Sequence, residues 1–380
     1  MQKLRLGMVG GGQGAFIGSV HRIASRIDDH YELVAGALAS NADIAHASAK
    51  ELGINADRSY ASFTEMAEKE SSLEEGIDVV AIVTPNNLHY PVAEVFLKKN
   101  IHVICDKPLT HNLQDAEKFE KCVKDSKSLF ALTHNYTGYP MVRQARQMFR
   151  SGEIGKLRVI QVEYAQDWLT LPIENEGQKQ ASWRTDPSKA GMGGSIGDIG
   201  SHAFNLADFI TGAKLQELCA DISSFVDGRK NDDNAHVLLR YNDGAKGMLW
   251  SSQVAPGNEN ALKIRIYGDK GGLEWEQENP NYLKVDIFGK AKKIIRRAGN
   301  ETTEDGTRVT RIPPGHPEGY LEGFANIYSD FAKQIISFNK NEKIDQSLIL
   351  VPTIEDGLKG VRFINCVVES GMNGSKWVNF

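Results

Sequence analysis

The chain has 380 residues, 41% of them hydrophobic and 24% charged, with a formal net charge of −5. This length predicts two domains, and the mild acidity argues against nucleic acid or an anionic membrane surface as a partner. No apolar run approaches the length of a membrane-spanning helix, and the first residues read as a strand, without a signal segment. We therefore expect a cytoplasmic protein without a membrane partner.

Strand and helix patterns alternate through the first third of the chain. The predicted strands cover residues 3–9, 31–38, 78–83, 101–105 and 128–133. The predicted helices cover residues 19–27, 41–53, 88–100 and 113–124. The run Asp-Val-Val-Ala-Ile-Val at 78–83 is typical of a strand buried on both faces of a parallel sheet. The alternation predicts an α/β fold, a doubly wound parallel Rossmann sheet that binds a dinucleotide, over residues 1–137.

The pattern changes after residue 138. A predicted helix at 142–149 precedes strand-like runs at 157–166, 219–226, 235–241, 246–254, 262–268 and 272–278. Asn-Asp-Gly at 242–244 and Asp-Lys-Gly at 269–271 fit hairpin turns. We expect residues 138–380 to form an α+β domain with a mostly antiparallel open sheet, for substrate binding and oligomerisation. The polar segment 289–314 is predicted to be a surface loop.

A glycine-rich loop follows the first predicted strand, at residues 10–18. A phosphate-binding turn needs glycine to turn sharply, to let the backbone approach the pyrophosphate, and to pack the next helix closely. Gly10 and Gly12 fit the first two roles, and Gln13 lies between them and the helix. The third role falls to Ala15 or, after an insertion, to Gly18, and we favour Gly18. The loop predicts dinucleotide binding at a helix N-terminus.

The end of the second strand bears on the choice of cofactor. A carboxylate there would bind the ribose 2′-hydroxyl of NAD, but the sequence at 37–41 is Ala-Leu-Ala-Ser-Asn. Ser40 can hydrogen-bond a 2′-phosphate, although no arginine stands beside it. Both NAD and NADP remain open, with a slight preference for NADP.

Three further motifs follow the glycine loop in chain order: Thr-Pro-Asn-Asn-Leu-His at 84–89, Asp-Lys-Pro at 106–108, and Asp198 four residues before His202. Together they resemble the Gfo/Idh/MocA family of oxidoreductases, which includes glucose–fructose oxidoreductase and inositol dehydrogenases. The resemblance covers essentially the whole chain. Two departures are Asp106 in place of the usual glutamate and a longer glycine loop.

The resemblance implies an NAD(P)-dependent enzyme acting on CH–OH groups. Thr84, Pro85, Asn86 and His89 are then expected to line the nicotinamide side of the cofactor. The remaining predicted cofactor contacts outside the glycine loop follow later strands: Asp106, Lys107 and Asn135.

Oxidation of an alcohol requires a group that takes the hydroxyl proton and a polar group that steadies the developing alkoxide. Lys107 ends a predicted parallel strand, where ligands bind in open α/β sheets. Asp198 and His202 share one face if their segment is helical, and the imidazole suits the proton acceptor. An N-cap aspartate with a structural histidine is the commoner reason for such a pair. The resemblance favours Lys107, Asp198 and His202 as one catalytic group.

Other polar and aromatic residues are weaker candidates for substrate contacts. Gln166 and Trp168 alternate with Tyr164 along a predicted strand, although packing alone explains such alternation. The further candidates stand near predicted strand ends or glycine segments: Tyr136, Trp183, Arg184 and Tyr320. His21 is expected to be structural.

We predict a dehydrogenase or reductase of a cyclic polyol, sugar or sugar derivative. Two alternatives stay open: an NAD-dependent glycosidase that oxidises its sugar transiently, and a non-catalytic dinucleotide-binding sensor. The four cysteines have neither the spacing of zinc ligands nor that of a disulfide framework, so no metal is expected. Apolar residues on the strands at 235–241 and 246–254 predict a homodimer or homotetramer.

Overall fold

The structure, a computed structural model, describes residues 3–344 and 350–380. By its internal contacts the chain divides into two compact units. The first unit comprises Met1–Gly138 and Leu321–Leu358, and the second comprises Tyr139–Tyr320 and Lys359–Phe380. Each unit contains one sheet.

The first unit is built on a five-stranded sheet whose neighbouring strands all run parallel. The strands are β1 (Leu4–Gly10), β2 (Tyr31–Ala37), β3 (Val79–Val83), β4 (His102–Cys105) and β5 (Phe130–Leu132). Their order is β2-β1-β3-β4-β5. From β1 the chain adds β2 on one side and then continues with β3 on the other side of β1, so the strand order reverses between β1 and β3. Ligands bind beyond the carboxyl ends of strands at such a switch point. The predicted doubly wound parallel sheet is confirmed.

The helices that follow these strands begin and end near the predicted bounds. They are α1 (Phe16–Ile27), α2 (Ala42–Glu51), α3 (Phe63–Glu70), α4 (His89–Leu97) and α5 (Leu113–Asp125). Helix α3 was not predicted. Its signal was the N-cap: the Ser62 hydroxyl accepts a 3.2 Å hydrogen bond from the Glu65 backbone N–H, the Ser-x-x-Glu pattern of helix starts.

The second unit is built on a nine-stranded sheet of order β13-β12-β11-β10-β6-β9-β8-β7-β14. The strands are β6 (Leu157–Ala165), β7 (Leu215–Ser223), β8 (Asn234–Tyr241), β9 (Lys246–Ser252), β10 (Ala261–Gly268), β11 (Gly271–Glu276), β12 (Tyr282–Ile287), β13 (Lys293–Arg296) and β14 (Val378–Asn379). Only β6 and β9 pair in parallel among the described neighbours. The predicted mostly antiparallel sheet is confirmed.

The remaining helices of the chain are α6 (Pro140–Arg150), α7 (Lys179–Arg184), α8 (Pro187–Ala190), α9 (Ser201–Thr211), α10 (Glu304–Arg308), α11 (Tyr320–Asn339) and α12 (Ile354–Met372).

One face of the nine-stranded sheet is covered by helices. Val162 pairs with Leu249 on one side and with Ile264 on the other, and all three are buried. Helices α6 and α9 pack against the sheet. On the opposite face, the paired residues Leu238 and Met248 remain 53% and 44% exposed.

Two expectations differ from the observed fold. The segment 289–314 is not only a loop: β13 pairs with β12 at the sheet edge, and the Thr303 backbone N–H at the start of α10 donates to the Gln144 side chain of α6. The expected single division between 1–137 and 138–380 also differs, because the described residues of Leu321–Leu358 group with the first unit. There the Tyr328 backbone carbonyl accepts a 2.8 Å hydrogen bond from the Tyr31 hydroxyl.

None of the described helices is both long and apolar enough to span a membrane.

Candidate active site

The glycine loop leaves β1 in a conformation that favours glycine. Gly10 and Gly11 have φ angles of +79° and +73°, a region that residues with a Cβ rarely adopt. A Cβ on Gly18 would lie 2.4 Å from the Gly11 Cα, so only glycine allows α1 to pack this closely on the loop. This close packing favours Gly18, the preferred of the two candidates, over Ala15 for the third role of the loop.

Gly12 is required for a different reason from the one expected. A Cβ there would lie 2.7 Å from both the Leu38 carbonyl oxygen and the Ser48 Oγ. The Gly12 backbone N–H also donates a 3.0 Å hydrogen bond to the Leu38 carbonyl. The missing side chain therefore serves contact with the end of β2 and with α2, which holds the loop in place.

A cavity of about 450 Å³ opens at the glycine loop, within the size range of ligand sites. Its lining residues come from the loop and from α1 and α2: Gly12, Gln13, Gly14, Ala15, Phe16, Ser19, Arg22, Ser48, Glu51 and Leu52. The Gln13 backbone N–H donates to Ser48 Oγ at 3.1 Å, and its side chain donates to Glu51 at 2.6 Å. The predicted residue Gln13 thus lines this cavity.

The chain beyond β2 places Ser40 on the surface. The next residue, Asn41, is engaged in capping α2, where its side-chain oxygen accepts a 3.0 Å hydrogen bond from the Ile44 N–H. Ser40 is therefore an exposed hydroxyl between β2 and the cap, and its contact with a 2′-phosphate stays a prediction.

His89, at the start of α4, joins two strand-end loops. Its ring is fully buried, with Nδ1 at 2.8 Å from the Pro108 carbonyl and Nε2 at 3.0 Å from the Thr84 carbonyl. Burial lowers the pKa of His89, against the raising effect of Asp106 and the carbonyls. Both ring nitrogens face backbone oxygens, so the structure replaces the expected nicotinamide contact of His89 with a tie between the loops after β3 and β4.

Asp106 and Lys107 directly follow β4. Asp106 accepts a 2.8 Å hydrogen bond from the Thr133 hydroxyl and lies 3.7 Å from His21 Nε2. Burial raises the pKa of Asp106, but His21, Lys107 and His89 lower it more, and the carboxyl pKa lies well below its usual range. Asp106 is therefore an anion beside Lys107. His21, which shares a 2.8 Å hydrogen bond with Tyr328, is held inside the core of the first unit.

The residues after β5 complete this side of the first unit. Burial and the positive charge of Lys107 lower the pKa of His134 to about 3, so this imidazole stays neutral. Asn135 and Tyr136 are both buried. Among the described residues, Thr84 Oγ1 and Asn135 Nδ2 are buried without a hydrogen-bond partner. Buried polar atoms normally have one, and a dinucleotide carries amide, hydroxyl and phosphate groups that can supply it, so these residues fit the predicted cofactor.

Asp198 and His202 lie where the second unit changes its helix type. Asp198 is in one turn of π-helix, Ile196–Gly200, and His202 follows in α9. Such turns occur frequently at functional sites. His202 is 7% exposed, and its ring centroid lies 6.2 Å from that of Tyr164. Residues 196–202 are thus helical throughout, which is the condition under which Asp198 and His202 were expected to share one face.

Arg184 brings three predicted substrate residues together. Its guanidinium lies 4.3 Å from the ring centroid of Trp183 and 6.0 Å from that of Trp168. Its Nε is 3.3 Å from the Asp198 carboxylate. The arginine is thus placed by two indole rings and paired with the acid of the π turn.

A chain of amide side chains extends from this pair. The Trp168 indole N–H donates to Gln166 Oε1 at 3.1 Å, and Gln166 donates to Asn260 Oδ1 at 2.8 Å. The Tyr164 hydroxyl donates to the same oxygen at 2.6 Å, which places Tyr164 and Gln166 on one side as their alternation predicted. Gln253 Nε2 donates to Asp198 at 2.9 Å. The sequence did not lead us to Asn260 or Gln253. The only signal for each was that a polar residue stands at the end of an apolar strand.

The two remaining predicted substrate residues lie elsewhere. Tyr136 belongs to the first unit and is 3% exposed. Tyr320 is half-buried at the start of α11. Glu318, just before it, accepts hydrogen bonds of 2.8 Å from Arg297 and from the Arg311 backbone N–H, so this acid holds the loop that leads to Tyr320.

Two family models match most of the chain. Residues 4–147 match the model described as an oxidoreductase family with an NAD-binding Rossmann fold. Residues 142–274 match the model of the GFO/IDH/MocA C-terminal domain. The expected dinucleotide-binding domain is confirmed, and the family description names NAD, where the sequence left NAD and NADP open with a slight preference for NADP.

Similar proteins match over the full length. An oxidoreductase structure from Sinorhizobium meliloti is 54% identical, with a TM-score of 0.90 and 100% coverage of both chains. An inositol dehydrogenase homologue from Azotobacter vinelandii, complexed with NADH and myo-inositol, is 31% identical, with a TM-score of 0.92 and coverage of 100% and 98%. The levoglucosan dehydrogenase of Pseudarthrobacter phenanthrenivorans is 27% identical, covering 100% of this chain and 98% of its own.

Proposed function

Because the chain belongs to the Gfo/Idh/MocA family of NAD-binding oxidoreductases, we propose that it transfers hydride between a nicotinamide dinucleotide and a CH–OH group of a cyclic polyol, sugar or sugar derivative. The observation that carries the proposal is the polar cluster of the second unit. It consists of Gln166, Trp168, Arg184, Asp198, Gln253 and Asn260. One similar protein has a crystal structure in complex with myo-inositol and another is named for levoglucosan, and both compounds are small polyhydroxylated rings.

The chemistry of this cluster suits a neutral substrate rich in hydroxyl groups. Amide side chains both donate and accept hydrogen bonds, as hydroxyl groups do. Arg184 already lies 3.3 Å from Asp198, so the charges of this pair offset one another. Indole rings such as Trp168 offer a flat apolar surface with one polar edge, which fits the C–H face of a sugar ring. These features favour a polyol over a phosphorylated sugar.

Three residues are assigned to proton handling. The nicotinamide, when bound, supplies the hydride acceptor or donor. His202 takes the hydroxyl proton as general base, and Asp198 orients the substrate hydroxyl or the imidazole. Lys107, positively charged and next to the Asp106 anion, donates a hydrogen bond to the reacting oxygen. Thr84, Pro85, Asn86 and Asn135 are assigned to the nicotinamide end of the dinucleotide, with His89 as a positioning residue.

A panel of substrates with both cofactors tests the proposed reaction. Inositols, aldoses and anhydro sugars are incubated with NAD⁺ or NADP⁺, and reduction is followed at the nicotinamide absorbance. We expect turnover with at least one cyclic polyol or sugar, and weaker turnover with its phosphate ester. Oxidation confined to alcohols without a polyhydroxylated ring contradicts the substrate class.

The location and assembly are further parts of the proposal. The four cysteines are free thiols, the usual state of cysteines in the cytoplasm, where we place the protein.

The exposed residues Leu238 and Met248 lie side by side on the sheet face opposite α6 and α9. A second copy of the chain is the proposed partner for this face, in a homodimer or homotetramer.

A further inference from the structure

Asp232 holds the backbone of the turn that leads to Asp198. The Asp232 residue is 6% exposed and lies just before β8. Its carboxylate accepts hydrogen bonds from the Gly194 N–H at 2.7 Å, the Ser195 hydroxyl at 2.7 Å and the Ile196 N–H at 2.8 Å. The Asp232 backbone carbonyl also accepts the Ser195 N–H at 2.8 Å. One residue thus satisfies four donors at the start of the π turn, three of which are backbone N–H groups that a helix start otherwise leaves unpaired.

Gly194 makes this approach possible. A Cβ at this position would lie 2.0 Å from the Asp232 carbonyl oxygen, so any other residue would push the turn away. The Gly194 carbonyl in turn accepts a 2.9 Å hydrogen bond from the Asp198 N–H. The contacts of Asp232 therefore reach Asp198 through a single intervening residue.

Gln253 holds the side chain of Asp198. It follows β9 and is 2% exposed. Its Nε2 donates to the Asp198 carboxylate at 2.9 Å, and its backbone N–H donates to the Asp233 carbonyl at 2.8 Å. Because Asn234 pairs with Ser252, Asp232 and Gln253 leave the sheet at the same end of β8 and β9.

Burying the Asp232 carboxylate and the Gln253 amide costs the free energy of their hydration. A buried carboxylate or amide has to recover in hydrogen bonds what it loses in hydration. Asp232 recovers it from the turn, and Gln253 recovers it in part from Asp198. The hydrogen bonds of the Asp232 carboxylate go to the turn and that of the Gln253 amide goes to Asp198, so each acts on the site through the residues it holds.

We propose that Asp232 and Gln253 form a clamp that positions the Asp198 carboxylate for substrate, Asp232 through the backbone of the π turn and Gln253 through the side chain. The inference rests on the proposed function, in which Asp198 orients the substrate. Both are positioning residues. Neighbouring strands supply them, so the turn keeps its place on the sheet when substrate binds.

The Gln253→Met variant tests the side-chain part of the clamp, because methionine is similar in length and cannot donate. With myo-inositol or levoglucosan, whichever the wild-type protein oxidises faster, kcat is expected to fall about tenfold or more, the effect of losing a hydrogen bond to a charged group. The dissociation constant for NADH, measured by fluorescence, is expected to stay unchanged. In an Asp198→Ala background, which removes the acceptor oxygen, the same substitution is expected to change kcat less than about twofold, since coupled residues are not additive.

A matched control is Gln114→Met, since Gln114 is exposed on α5 of the first unit, and its kcat is expected to equal that of the wild type. An unchanged kcat in Gln253→Met, or an equal loss with and without Asp198, overturns the clamp. A wild-type protein that turns over no polyol or sugar contradicts the proposed function instead.

The Asp232→Asn variant tests the backbone part without any substrate. Its amide N–H₂ would face backbone donors in place of an acceptor oxygen. Hydrogen exchange measured by mass spectrometry on the full chain is expected to speed up at residues 194–202, with β1 to β5 unchanged. Unaltered exchange at 194–202 overturns the clamp. Ser195→Ala, which removes one of the four donors, is expected to give a smaller increase in the same segment.

Discussion

His102 Nδ1 accepts a 2.9 Å hydrogen bond from the backbone N–H of Leu129, which ties the start of β4 to the residue before β5. Burial lowers the pKa of His102, and the nearby Asn339 and Asp78 only partly offset this. The folded first unit therefore favours the neutral imidazole of His102 over the protonated one.

This relationship predicts a pH dependence of stability. The folded pKa of His102 is lowered, so its contribution is present above the unfolded value of about 6.5 and is lost as the pH falls toward the folded value. Between pH 7.5 and 5.5 the wild type should lose about 1 kcal/mol more unfolding free energy than His102→Asn, whose oxygen keeps the acceptor without titrating. Urea denaturation measures this, and His46→Asn at an exposed position is the control. Parallel pH curves for wild type and His102→Asn would refute it.

Gly18→Ala is predicted to weaken cofactor binding. The added Cβ would lie 2.4 Å from Gly11 Cα and 2.6 Å from its carbonyl oxygen, which forces α1 away from the loop. We expect the NADH dissociation constant to rise about tenfold or more and the unfolding free energy to fall by about 1–3 kcal/mol. Gly360→Ala is the control, since a Cβ there meets nothing within 4 Å. Calorimetry that finds unchanged NADH affinity in Gly18→Ala would remove Gly18 from the binding loop.

Lys107→Ala and His202→Ala are predicted to lower turnover by roughly a hundredfold to ten-thousandfold, the usual loss when an acid–base group is removed. NADH binding should survive in both. The double variant should lose less than the product of the single losses, because both residues serve one step. The exposed Lys99→Ala is the control. Near-wild-type kcat in His202→Ala would make the imidazole structural and leave Lys107 as the first candidate for the base.

The exposed sheet face is predicted to carry the subunit contact. Light scattering at micromolar concentration should give a dimer or tetramer. Leu238→Asp and Met248→Asp should each shift the mass toward the monomer, because a charge on this face would be buried unpaired. Leu73→Asp, at an apolar position of the first unit that is 49% exposed, should leave the mass unchanged. A monomeric wild type would contradict the assembly.

Local patterns sufficed to predict the elements that position the cofactor side. The buried run at β3 and the glycine loop carry their signal within a few residues. The Gly12 role could not be predicted in the same way, because the Leu38 carbonyl that it approaches comes from another strand. His89 illustrates the same limit: the motif singles it out, but its two carbonyl partners belong to loops after different strands.

The substrate side was predicted in part. Gln166, Trp168, Arg184 and Asp198 were named from motifs and alternation, and the structure joins them in one cluster. Gln253 and Asn260 were not, because each gains its role from strand pairing that brings distant residues together. In chain order, Gln253 is 55 residues from the carboxylate that it binds.

The transfer of a labelled hydride tests the central claim most directly. A panel substrate deuterated at every ring carbon is incubated with NAD⁺ or NADP⁺, and both products are analysed by mass spectrometry. A dehydrogenase is predicted to release reduced nicotinamide carrying one deuterium for each oxidised ring formed. Sugar cleavage without net nicotinamide reduction would indicate transient oxidation by a glycosidase, and recovery of intact substrates together with oxidised, unlabelled nicotinamide would contradict hydride transfer altogether.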